Sequence, residues 1–165
     1  MRQRTAGVIV LALLVVLVFV VFNPPAAFVE PGEYETTSVS VHDKNGTKLA
    51  TVDVKLADTP EKRQVGLSRT DSLDDDTGML FVHPDADTHT YHMRNMSFPL
   101  DIIFVAPDGT ITEIHQADVP TLWPLERYSG DGKYVLEVER GWADEAGVTT
   151  GDVVRIPENV TAQDA

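Results

Sequence analysis

GMLFVHPDADTHTYHMRNMSFPLDIIFV, residues 78–105, sets two short apolar runs, Gly78-Met79-Leu80-Phe81 and Ile102-Ile103-Phe104-Val105, on either side of a polar segment. Runs of that length bounded by turn residues are the pattern of buried strands. Between them lie His89, His92, Arg94, Asn95 and Asp101, groups that each need a partner once they leave water. The stretch therefore predicts a β core with a site, or a buried polar network, at its edge.

Upstream, Thr37–His42 alternates and is followed by Asp43-Lys44-Asn45-Gly46, whose Asn-Gly pair suits a hairpin turn. Leu49, Val52, Val54 and Leu56 continue the return strand. Thr59 or Asp58 can cap a helix that Pro60 opens and Gly66 ends. Downstream, strands are expected near Met79–His83, Thr88–Arg94 and Ile102–Val105, and through His115 after the turn Ala106–Gly109. Gln116–Gly132 reads as the longest irregular stretch, Tyr134–Glu139 alternates, Trp142–Ala146 is a short helix stopped by Gly147, and Val153–Ile156 closes the sheet. With no βαβ rhythm, the fold class is mostly β: a single compact β-sandwich or partly open barrel with two short helices.

The N-terminus is of another kind. Arg2 and Arg4 precede the uninterrupted apolar run Val8–Phe22. Fifteen helical residues span about 22 Å against roughly 30 Å of hydrocarbon, and Thr5, Ala6 and Gly7 can extend the run. Asn23–Phe28 offers a poor match to a signal-peptidase site, which favours a retained anchor over a cleaved signal. The two arginines then hold the N-terminus in the cytoplasm. The expectation is a single-pass transmembrane helix over 1–22, a linker over 23–35 with three prolines, a β domain over 36–157 on the extracytoplasmic side, and a tail over 158–165.

Charge narrows the partners. Beyond Phe22 stand 11 basic residues against all 26 acidic ones, a net of −15, which opposes the cationic surface that nucleic acid requires. The chain has no cysteine, so disulfides, thiolate catalysis and cysteine-bound zinc are excluded. Asp71, Asp74, Asp75 and Asp76 cluster without EF-hand spacing.

Four blocks, ADTPEKRQVGL (57–67), GMLF (78–81), YHMRNMSFPLDIIFVAPDGTITEIH (91–115) and KYVLEVERGWADEAGVTTGDVV (133–154), resemble the DUF192 family (UPF0127) of small exported or membrane-attached proteins. The resemblance implies a compact, mostly β domain and no particular reaction. Where the family usually has tryptophan this chain has His92, and Pro120 and Leu125 stand about where many members appear to carry a cysteine pair. The carboxylate-rich surface is the pattern expected of a halophile and points to a haloarchaeal source.

Arg94 offers a rigid fork for carboxylates and Asn95 both donor and acceptor. The expected ligand-binding set is Arg94, Asn95, Asp101, His92 and His115, in a pocket under the Gln116–Gly132 loop that takes a small anionic ligand or a segment of an envelope protein. Asp101, opening a strand after Pro99-Leu100, has a structural alternative: capping backbone amides. The runner-up is a hydrolase-type or metal-dependent enzyme using His92, His115 and Asp101. No cofactor and no metal are expected.

Overall fold

Asp43 closes the first hairpin: its Oδ1 accepts the backbone N–H groups of Asn45 and Thr47 at 2.8 and 2.7 Å. The turn joins β1 (Thr36–His42) to β2 (Lys48–Ala57) in the computed structural model, which describes residues 30–121 and 124–163. Helix α1 (Pro60–Val65) follows, with the Thr59 side chain accepting from Lys62 N and proline in the first turn. Then come β3 (Thr77–Tyr91), β4 (Leu100–Val105), β5 (Ile111–Ala117), β6 (Tyr128–Glu139), helix α2 (Trp142–Ala146) and β7 (Val153–Arg155). The seven strands form one sheet in the order β5-β4-β6-β3-β2-β1-β7.

The sheet curls until its two edges meet at one end. Val154 N donates to Gly109 O, Gly151 N to Ile111 O and Ile111 N to Asp152 O, each at 2.8 Å, so β7 touches the β4–β5 turn. Gly109 sits at φ +88 with Val154 O only 2.5 Å from where a Cβ would stand, a place for glycine alone. Of the two expected architectures the protein takes the partly open barrel: a mostly β half-barrel with two short helices. The expected anchor over 1–22 lies outside the described residues, among which no helix is long and apolar enough to cross a membrane.

Both faces of the sheet are covered. The concave face holds Val39, Val41, Val52, Val54, Leu80, Ile103, Leu136 and Val154, with Ala143, Val148 and Val160 packed over them. The other face holds Met79, Phe81, Leu100, Ile102, Phe104 and Val135, with Leu67, Met93, Phe98 and Tyr128 packed against them. All six residues of β4 are buried as a result, as expected of a strand covered on both sides.

The absence of any βαβ unit and two strand boundaries are corrected. β2 and β3 pair in parallel, Val54 opposite Gly78 and Leu56 opposite Leu80, with α1 in the crossover. Strand β3 is continuous through Pro84 and stops at Tyr91, because the proline falls in the irregularity between Val82 and Asp87, where no ladder bond needs its missing N–H. And Tyr128–Gly132, read as irregular, is the first part of β6.

Candidate functional site

The first part of β6 crosses over the convex face of β4, because two glycines allow it. A Cβ on Gly130 would lie 2.5 Å from the Phe104 ring, and one on Gly132 2.8 Å from Val105 O. Reaching β5, the crossing segment takes hydrogen bonds from Thr112 Oγ1 at Asp131 O (2.6 Å) and from the His115 ring at Ser129 O (2.9 Å). Beneath it runs a chain of rings: Phe81–Tyr91 at 5.1 Å, Tyr91–Phe104 at 5.9 Å, Phe104–His115 at 5.7 Å and His115–Tyr128 at 5.8 Å.

The five residues expected to line one pocket fall in three places. His92, Arg94 and Asn95 are exposed in the turn after β3, where Met96 N donates to Met93 O at 3.2 Å and Asn95 takes φ +60, which asparagine tolerates. Met93, between His92 and Arg94, turns inward and is 3 % exposed. His115 is half-buried on the convex face, opposite Ile102. Asp101 lies on the concave face, fully buried, with Oδ2 accepting Gly141 N and Ala143 N at 3.1 and 2.9 Å. Burial pushes its carboxyl above the usual range, and these two amides oppose that. The sheet itself thus separates Asp101 from His115. Among the described residues, no three His, Asp or Glu side chains converge to hold a metal ion.

Beside Met93 a cavity of about 220 Å³ opens under the segment after β5. Met93 and Tyr128 line it together with Pro120, Pro124 and Leu125, and its charged walls are Asp118 and Glu126. Arg140 pairs with Asp118, and Tyr128 OH donates to Glu126 at 3.0 Å.

A second feature of this face is Glu137 on β6. By register it stands between Met79 of β3 and Ile102 of β4, so its side chain shares their apolar face. The residue is 6 % exposed, and burial pushes its carboxyl up to about 8. Nearby, Tyr91 OH meets His83 Nε2 at 2.9 Å, and the His83 and His89 rings stack at 3.5 Å. The Tyr91 phenol is raised well above its usual range by burial first and by Glu137 second, with Arg63 opposing. Sequence reasoning missed Glu137, because in YVLEVE it reads as the polar side of a half-exposed strand. Only the apolar run Ile102–Val105 of the neighbouring β4 hinted that both faces are covered.

Against known proteins, residues 41–156 match the DUF192 family model, described as "Uncharacterized ACR". The chain is similar to a Sinorhizobium meliloti 1021 protein provisionally assigned as a transcription regulator: 31 % identity, 76 % of this chain and 97 % of that one, TM-score 0.68. It is also similar to a protein of unknown function from Novosphingobium aromaticivorans DSM 12444, at 29 % identity over 78 % and 96 % of the two chains, TM-score 0.65. Among curated proteins none matches.

Proposed function

This chain belongs to the DUF192 family, and on that premise we propose that it is a binding or accessory module, anchored on the extracytoplasmic side of a membrane, that captures an apolar segment of a partner. The observation that carries the reading is the cavity beside Met93, walled by prolines, leucine and tyrosine with carboxylates as its charges. Such walls suit a neutral or basic extended segment, because apolar contact supplies affinity and carboxylates repel anions. The tether rests on Arg2, Arg4 and the run Val8–Phe22. A small anion, the other ligand class, would draw on Arg94 next to Met93.

Two proline-containing peptides, one flanked by lysines and one by glutamates, separate these readings in an NMR titration of the full chain. The basic peptide is expected to shift Met93 and Val119–Tyr128, with the effect lost in Leu125→Asp. Shifts confined to other residues would overturn the proposal; tighter binding of the acidic peptide, abolished by Arg94→Ala, would replace the segment by an anion.

A further inference from the structure

We propose that the outer edge of β5 is an interaction surface for a second copy of this chain, the two β5 strands pairing antiparallel about a two-fold axis at Ile114. β5 ends the sheet on its side, with β4 along one edge. Among the described residues, backbone bonds on its other edge are confined to Ile111, which donates to Asp152 O and accepts from Gly151 N. The N–H and C=O groups that face outward from Glu113 to Ala117 are left to solvent or to another strand. Two devices that commonly blunt such an edge are missing, since Ile111–Ala117 holds neither lysine nor proline. The edge strand at the far side of the sheet, β7, is only three residues long.

The occupant follows from the strand's own sequence. Pairing about Ile114 sets Glu113 of each copy opposite His115 of the other and Ile114 opposite itself. The opposed side chains share a face: Glu113 and His115 lie on the convex side, across from Phe104 and Ile102, and Ile114 lies on the concave side, across from Ile103. Glu113 is exposed, and Ile114 and His115 are half-buried, so all three have surface to give up. His115 Nε2 is taken by Ser129 O at 2.9 Å, which leaves Nδ1 for the carboxylate. The two-fold axis makes this pair twice. An axis at Glu113 would instead oppose two carboxylates, and one at His115 would oppose two imidazoles and leave Glu113 facing Ala117. Charge therefore selects the register. So short an edge buries less than the roughly 1,200 Å² of a stable interface, and the association is a reversible one.

The chain has no cysteine, so single introduced cysteines report the pairing directly. The test uses the detergent-solubilised full chain in molar salt, which screens the repulsion between two chains of net charge −13. On oxidation by air, Ile114→Cys is expected to give a disulfide-linked dimer, because opposed Cβ atoms lie about 5 Å apart. His115→Cys, and Thr51→Cys at an exposed position of β2, should cross-link far less. If Ile114→Cys fails to fold, Glu113→Cys mixed with His115→Cys replaces it: these positions are opposed in the same register, and the mixed dimer should exceed either like pair. Sedimentation equilibrium of the wild type should show a concentration-dependent mixture of monomer and dimer. Glu113→Lys, a change at an exposed position, should raise the dissociation constant about tenfold, since both charge pairs turn repulsive. A monomer at every concentration, a dimer unaffected by Glu113→Lys, or cross-linking along β5 no stronger than at Thr51→Cys would each overturn the proposal.

Discussion

Asp101 holds the start of helix α2 on the concave face they share: its Oδ2 accepts the N–H of Ala143 at 2.9 Å and that of Gly141 at 3.1 Å. Helix α2 has no side-chain cap of its own, so Asp101 satisfies amides that would otherwise be left without partners. Asp101→Ala should cost about 1–3 kcal/mol in urea unfolding. Asp101→Asn should cost less, since its amide oxygen can still accept. A wild-type midpoint for Asp101→Ala would remove the capping account.

Glu137 makes stability depend on pH in an unusual direction. Its carboxyl is raised from 4.5 in the unfolded chain to about 8 in the folded one, so between those values the native state holds a proton that the unfolded state has lost. Stability therefore falls as pH rises from about 5 to 8, and the full penalty, on the order of 4–5 kcal/mol, stands above pH 8. Glu137→Gln removes the term. Denaturation series at pH 5 and pH 8 should show the variant gaining on the wild type as pH rises; parallel curves would mean that the carboxyl ionises freely.

Gly130 is expected to tolerate no side chain. With the Phe104 ring 2.5 Å from the position of a Cβ, Gly130→Ala must lift the β3–β6 ribbon off the convex face, at about 1–3 kcal/mol. Gly141→Ala meets no such wall, although its φ of +95 adds a smaller backbone cost. Amide hydrogen exchange in Asp87–Tyr91 should rise in the first variant and stay put in the second.

The C-terminal segment is part of the packing. Val160 is buried at 4 % exposure, and Gln163 donates to Asp58 through its backbone at 2.8 Å and through its side chain at 2.7 Å. Asp58 also pairs with the buried Lys62 at 2.8 Å. Deleting residues 158–165 should lower stability by about 2–3 kcal/mol, read as a drop in melting temperature. An unchanged melting temperature would show the segment contributes nothing.

Local chemistry carried much of the architecture. The Asn45-Gly46 turn, the Thr59-Pro60 helix start, the apolar run of β4 and the Gly147 stop each read correctly, because each depends on residues near in sequence. What escaped depends on residues far apart. Pro84 ends a strand on paper, yet it falls in a bulge fixed by pairing with β6. Gly130 and Gly132 look like loop residues, but they are the thin places where one strand crosses another. Asp101 and His115 look like neighbours until the register sets them on opposite faces, and Glu137 is ordinary until Met79 and Ile102 arrive beside it.

The meeting of β7 with β1 also sets an order of events. Ser40 pairs with Arg155 and His42 with Val153, so the outer edge of an early strand waits for residues made near the end of synthesis. Closing so long a loop costs about 4 kcal/mol in chain entropy, and until it closes β1 presents a row of open amides and carbonyls to any passing strand. A nascent chain halted before residue 153 is therefore a template for mispairing, and the interval in which a chaperone would matter ends only when the last strand emerges.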